Sequence, residues 1–318
     1  MPDTKLFFAS DVHGSEKTFM KFVNAGNFYK ANVLILGGDM TGKMLVPIVR
    51  QTDGSHKVKF LGTEYVIKTE QEIQEMEKNI RFNGAYPYRT TPDNIKELDA
   101  DRNKVDELFS SLMKEEVGRW LKIAEERLRG TGIKCFITPG NDDRLDVDDA
   151  FSSNEYVVNP EGKLVSIDDH HEMISSGYCN VTPWKAPRDI PEEELSRKIE
   201  SMTSQVKNMK NCIFNFHCPP YDSTIDLAPK LDKNLKPVIS PTGGTEMIPA
   251  GSRAGRVAIE KCQPLLGLHG HIHESKGFFR IGRTLCLNPG SEYSEGVLRG
   301  ALITLTEDKV KSYILTRG

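Results

Sequence analysis

A chain of 318 residues, 38% of them hydrophobic, has the length to bury a sizeable core and needs no disulfide framework to stay folded. Its 42 basic and 45 acidic side chains leave a net charge of -3, which argues against a large nucleic-acid footprint or attraction to an anionic membrane surface. The six cysteines (135, 179, 212, 218, 262 and 286) include no C-x-x-C pair, and no stretch approaches the ~20 apolar residues of a membrane span.

The opening apolar run, Lys5 to Ser10, is too short for a signal peptide, so a cytoplasmic protein with reduced thiols is expected. No Pro/Ser/Gly-rich linker divides the chain, and one α/β domain over residues 1–318 is expected. Short apolar runs at Lys5 to Ser10, Val33 to Gly37, Ile133 to Thr138, Cys212 to Phe216 and Leu265 to Leu268 read as buried strands. Between them, Glu16 to Ala25, Glu192 to Lys207 and Ala254 to Lys261 read as helices. The longest helix is expected over Pro92 to Arg129, where Val105, Leu108, Leu112, Trp120, Leu121, Ala124 and Leu128 recur at helical spacing before Gly130 and Gly132.

A helical and hairpin insertion is expected at about 43–130. Its first part holds a hairpin of Lys57 to Leu61 and Glu64 to Lys68 around Gly62, then a charged helix from Glu70 to Ile80 whose acidic and basic run reads as a solvated face. The chain closes with a hairpin of Gly300 to Leu305 and Lys309 to Leu315.

Polar residues of metal-binding type recur at the C-terminal ends of these strands, where open α/β sheets expose their binding crevice. The first strand leads into Asp11-Val12-His13, two residues apart and so able to face one ion. The second leads into Gly37-Gly38-Asp39 and the third into Gly140-Asn141-Asp142-Asp143. Next come His217 before Cys218-Pro219-Pro220, and then His269-Gly270-His271-Ile272-His273. Singly, each has a bland explanation: a chance pair, an Asx turn, a helix N-cap before Leu145, a capping histidine. Together they place seven groups that bind first-row divalent ions at five strand ends.

This ordered pattern resembles the calcineurin-like metallophosphoesterase superfamily, whose signature is D-x-H, G-D, G-N-H-D/E, H and G-H-x-H. The likeness runs from residue 6 to residue 291 and includes Asn288-Pro289-Gly290-Ser291. It implies a four-layer α/β/β/α sandwich of two mixed sheets flanked by helices. It also implies one metal held by Asp11, His13 and His273, a second held by Asn141, His217 and His271, and Asp39 bridging both. Two divalent ions are implied, manganese or iron first and zinc or cobalt as alternatives. The activity implied is hydrolysis of a phosphoester by a hydroxide that the two metals share, with Asp39, Asn141 and Asp142 as the catalytic group.

Asp142 departs from the signature, standing where many members place a histidine that protonates the leaving group. An ordinary aspartate is ionised at neutral pH and cannot do so, which favours a phosphodiester or another substrate with a good leaving group. The alternatives are a phosphomonoesterase, a nucleotide pyrophosphatase, or a non-catalytic interaction scaffold on the same fold, as in a retromer subunit. An amidohydrolase would place its H-x-H pair early rather than last.

Asp143 matches the acid after that histidine, His269 lies outside the signature, and Cys218 reads as a buried structural thiol. Substrate choice is assigned to variable loops: the 219–253 segment as a lid or a static loop, Trp184 as an aromatic face, and Arg144, Arg188 and Arg253 as substrate-binding cations. The expected partner is a small phosphoester, a nucleotide among the options, with homo-oligomerisation left open.

Overall fold

The computed structural model describes residues 3–241 and 243–318, so Thr242 of the 219–253 segment lies outside the described residues. Two six-stranded mixed sheets form the centre of the molecule. The first runs, in spatial order, through Val310–Arg317, Arg299–Leu305, Thr4–Ala9, Val33–Leu36, Lys134–Ile137 and Val157–Val158. The second runs through Gly277–Ile281, Thr284–Asn288, Leu266–Leu268, Cys212–Phe216, Glu172–Ser176 and Leu164–Ser166. Central neighbours are parallel in both sheets, so their C-terminal ends gather on one side of each.

Side-chain alternation along these strands divides the core into three apolar layers. Leu6, Phe8, Val33, Ile35, Phe136, Ile213, Leu285 and Leu287 meet between the sheets. Phe7, Ala9, Leu34 and Leu36 face outward and are covered by helices α1 (Glu16–Tyr29) and, further along the chain, Arg102–Leu128. There Phe19 stacks on Trp120 with ring centroids 4.3 Å apart. On the opposite side, Ile174, Phe214, Phe216 and Cys286 are covered by the Glu192–Thr203 and Arg253–Cys262 helices. The result is the expected four-layer α/β/β/α sandwich.

The insertion is more strand-rich than expected. Met44–Arg50, His56–Phe60, Thr63–Ile67 and Ala85–Thr90 make a separate four-stranded sheet, covered by α2 (Glu70–Phe82) around a core that includes Val46, Ile48, Val58, Phe60, Ile73 and Ile80. Leu61 and Gly62, both at positive φ, form the two-residue turn of the expected hairpin. Pro47 and Pro87 hide the two unpredicted strands, because proline in an apolar run argues against a strand. Pairing with the neighbouring antiparallel strand begins only at Ile48, which leaves Pro47 free of that ladder. α2 itself starts with a capping box between Thr69 and Glu72.

The long helix is two helices, α3 (Pro92–Ala100) and α4 (Arg102–Leu128). Asp101 is extended at φ -138° and ψ 103°, and its carboxylate accepts the Asn103 N–H, capping α4. All seven apolar side chains that predicted the helix lie on α4, and its buried face joins the main sandwich rather than the insertion. α5 (Glu192–Thr203) and α6 (Arg253–Cys262) complete the helices. No helix among the described residues is long and apolar enough to cross a membrane.

Candidate metal centre

The loops after Thr4–Ala9 and Val33–Leu36 are zipped together by backbone hydrogen bonds. Asp11 N–H donates to Gly38 O, His13 N–H to Asp39 O and Gly14 N–H to Met40 O, at 3.0, 2.9 and 2.7 Å. Parallel pairing of the two strands brings D-x-H beside G-D, and the Lys134–Ile137 strand adds Asn141 on the other side. A Cβ on Gly140 would overlap the Asp39 carboxylate, so only glycine lets the third loop approach this closely. From the second sheet, the His271 N–H donates to both Asp11 carboxylate oxygens at 3.1 Å, and Ser291 Oγ donates to Asp11 O at 2.6 Å.

All seven expected ligands converge. Asp39 Oδ2 lies 3.6 Å from His13 Nε2 and 3.3 Å from His217 Nε2, and so stands between the two groups. His273 Nε2 is 3.3 Å from Asp11 Oδ1 and 3.1 Å from His13 Nε2. On the other side, His271 Nδ1 is 2.9 Å from Asn141 Oδ1. Asn141 Nδ2 donates to Asp189 Oδ1 at 3.0 Å, which turns the amide oxygen inward. His217 Nδ1 donates to the Gly37 carbonyl at 2.9 Å, which leaves Nε2 as the free ligand atom.

The donor set fits divalent ions. Buried His217 Nε2 makes no hydrogen bond and lies 3.3 Å from Asp39 Oδ2 and 3.8 Å from Asp11 Oδ1, a grouping of donor atoms that a shared cation would satisfy. Asp11, His13 and His273 offer ligand atoms within 4.8 Å of one another, as do Asp11, Asp39 and His217. Burial lowers the His217 pKa, but Asp39 and Asp11 outweigh it and push it up to about 10. For Asp11, burial opposes ionisation, yet His217, His273 and His13 hold the carboxyl below its usual range. Buried carboxylates demand positive charge here, and a cation meets that demand.

Asp143 is fully buried and accepts hydrogen bonds from Met40 N, Thr41 N, Thr41 Oγ1 and Gly140 N at 3.0, 2.8, 2.6 and 2.7 Å. It therefore ties the Asp39 loop to the Asn141 loop. His269 donates from Nδ1 to Phe216 O at 2.8 Å, and burial pushes its pKa down to about 4. Cys218 is buried, and its Sγ donates to Asn180 Oδ1 at 3.0 Å.

The metal-ligand floor opens into a cavity of 430 Å³. One wall is Lys43 and Asp142, which form an ion pair. The other is apolar: Trp184 with Leu231, Leu235 and Pro237. The last three come from the 219–253 segment, which is built as a β-paired arm, Leu227–Pro229 against Met247–Pro249.

The three arginines assigned to substrate do not reach this cavity. Arg188 is 1% exposed, and its guanidinium is engaged by Asp143 O, Arg144 O and the Asp148 carboxylate. That corrects its expected role, since a buried guanidinium with its donors engaged holds loops together and cannot greet a ligand. Arg144 pairs with Asp106 at 2.6 Å and lines a different cavity with Pro187. Arg253 stacks over the Tyr221 ring, 3.9 Å from its centroid, beside Asn180 and Glu192.

Three residues near the centre carry no signal in the sequence. Lys43 looks like one charge in an insertion, and Tyr293, whose ring lies 4.6 Å from that of His13, follows no motif. Cys179 places its buried thiol within 4.8 Å of ligand atoms of His217 and His271.

No family model matches the chain. Over 159 residues it is 32% identical to an uncharacterized protein of Methanocaldococcus jannaschii, MJ1162. That stretch covers 49% of this chain and 64% of the relative, so the match spans less than two thirds of that protein's length. Among solved structures, the TT1561 protein of Thermus thermophilus superposes with a TM-score of 0.52 at 14% identity, covering 100% of this chain and 99% of that one. A second crystal structure reaches a TM-score of 0.58 at 16% identity and covers 99% of each chain. The fold is shared. The chain resembles the calcineurin-like metallophosphoesterases in the order of its motifs and in its layered architecture.

Proposed function

We propose that the protein is a binuclear metal-dependent phosphoesterase of the calcineurin-like superfamily, and that its substrate is a phosphodiester. The observation that supports this reading best is the gathering of the seven candidate ligands about Asp11 and Asp39, with His217 Nε2 buried, without a hydrogen bond and 3.3 Å from Asp39 Oδ2. Asp11, His13 and His273 would hold one ion, and Asn141, His217 and His271 the other, with Asp39 shared. Two bound ions supply an activated water and neutralise charge on the phosphoryl group.

The protein's own groups set geometry and charge. Asp189 and Gly37 orient Asn141 and His217 through one hydrogen bond each, as ligands of metals commonly require. Burial opposes ionisation of Asp142, but the Lys43 hydrogen bond and charge outweigh it and hold the carboxyl below its usual range. An anionic Asp142 gives a leaving group no proton, which supports a diester or a substrate whose leaving group departs unaided. The mixed ligands suit manganese or iron, and zinc or cobalt after them. The cavity suits a small phosphoester, a nucleotide among them, with the apolar wall facing its organic part. Six free cysteines suit a reducing, cytoplasmic setting.

The test is metal analysis of the purified protein, followed by hydrolysis of bis-p-nitrophenyl and p-nitrophenyl phosphate with and without manganese. Two bound ions and metal-dependent turnover favouring the diester are expected. Absence of turnover on both would remove the enzyme reading, and a strong monoester preference would remove the diester.

A further inference from the structure

We propose that Lys43, positioned by Asp142, is the protein's cationic contact for the departing oxygen of the substrate, an inference that rests on the phosphoesterase reading above. Lys43 is the one lysine or arginine among the described residues lining the 430 Å³ cavity. The other charged wall and floor residues there are Asp39, Asp142 and Glu274, all acidic. Its ammonium pairs with the Asp142 carboxylate, which itself lies 3.9 Å from His13 Nδ1. The pair therefore sits directly beside the metal ligands.

The backbone that presents Lys43 is held from both sides. Asp143 takes the N–H groups of Met40 and Thr41, and Tyr86 Oη accepts the Gly42 N–H at 2.7 Å. Gly42 packs so closely on Gly84 O that any Cβ there would overlap it. Tyr86 and Gly84 belong to the insertion, so the insertion fixes where Lys43 stands. The Lys43 side chain is 62% exposed, so its pairing with Asp142 sets the direction of the ammonium rather than adding stability.

Chemistry supplies the role. Hydrolysis forms one P–O bond from water and breaks the P–O bond to the leaving group, whose oxygen departs with the bonding pair. The attacking water gives up a proton to solvent, and the released oxygen later takes one up. In-line displacement sends that oxygen out on the side opposite the attacking water, into a cavity where Lys43 is the one lysine or arginine among the described lining residues. A fixed positive charge at that place stabilises the developing anion without proton transfer. Asp142 holds the ammonium in place and is a positioning residue.

The experiment compares wild type, Lys43→Ala, Lys43→Arg and Asp142→Asn, all manganese-loaded and checked for metal content, on methyl p-nitrophenyl and methyl phenyl phosphate. Lys43→Ala should lower kcat by about 100-fold on the phenyl ester and far less on the p-nitrophenyl ester, whose leaving oxygen needs little help. Lys43→Arg should recover most of the loss. Asp142→Asn should move the same ratio in the same direction by a smaller factor. Equal losses on the two esters, no loss, or no recovery by arginine would overturn the assignment while wild-type turnover preserves the phosphoesterase reading. Wild type inactive on both esters would overturn both.

Discussion

The metal centre and the insertion sheet are neighbours in the chain, yet they carry backbone strain very differently. At the centre Asp11, His13, Asp39 and His271 hold φ of 58°, 39°, 50° and 67°, the left-handed region that costs a side-chain-bearing residue ~1–3 kcal/mol. Within residues 44–90 the one non-glycine at positive φ is Leu61, in a hairpin turn where that geometry is ordinary. The insertion obeys local rules throughout, with its own capping box, hairpin and core. The centre breaks them because packing from two sheets over-determines it, and the candidate ligands face one point rather than their preferred directions. The contrast implies that the insertion can weaken without dismantling the ligand set.

The sharpest break of that contrast comes from Asp39, the proposed bridging ligand. Asp39→Ala should abolish turnover and lower metal affinity beyond the about 10- to 100-fold typical of losing an outer hydrogen-bond partner, with circular dichroism little changed. Metal retained at wild-type level would mean that Asp39 does not bridge.

Next in size are two core truncations. Trp120→Ala, on α4 of the main sandwich, should cost about 3–5 kcal/mol in denaturant unfolding, because it empties the stack on Phe19 and loses the indole hydrogen bond to Glu116. Metal binding should fall with it. Ile80→Ala, in the insertion core, should cost about 2–5 kcal/mol, while metal content stays near wild type. Parallel loss of metal in both variants would show one cooperative unit and remove the contrast.

A smaller effect is expected from Tyr86→Phe, which deletes the acceptor of the Gly42 N–H. About 1–3 kcal/mol of local stability should be lost, and kcat should fall without release of metal.

The smallest effect is a pH slope. Burial raises the Glu161 pKa from 4.5 to about 7, against the lowering effect of the Gly177 N–H that its carboxylate accepts. Between those values the folded protein keeps a proton that the unfolded chain has released. This contribution is therefore full below pH 4.5 and lost as pH rises through about 7. Glu161→Gln should flatten urea-melt stability across that window, and an unchanged slope would assign it to other groups.

Local chemistry is what the sequence by itself determined. Apolar runs of strand length, and metal-type side chains at their ends, made seven of the twelve strands of the two sheets and the seven candidate ligands legible, because each motif lies within a few residues, whereas the two-sheet sandwich itself was implied by the family resemblance. The same locality explains the errors. Prolines 47 and 87 masked strands whose pairing tolerates them, and Asp101 divided a continuous helical pattern by capping the start of α4.

Only the tertiary structure decided where the cations stand. Arg188 sits in a promising sequence but is buried on Asp143, Arg144 and Asp148, whereas Lys43, in an unremarked stretch, stands over the metal floor beside Asp142. A charge's role depends on its burial and on partners drawn from distant segments, and no local pattern encodes either. The left-handed ligands obey the same rule: their strain is set by contacts across two sheets, which exist only once the chain has closed around them.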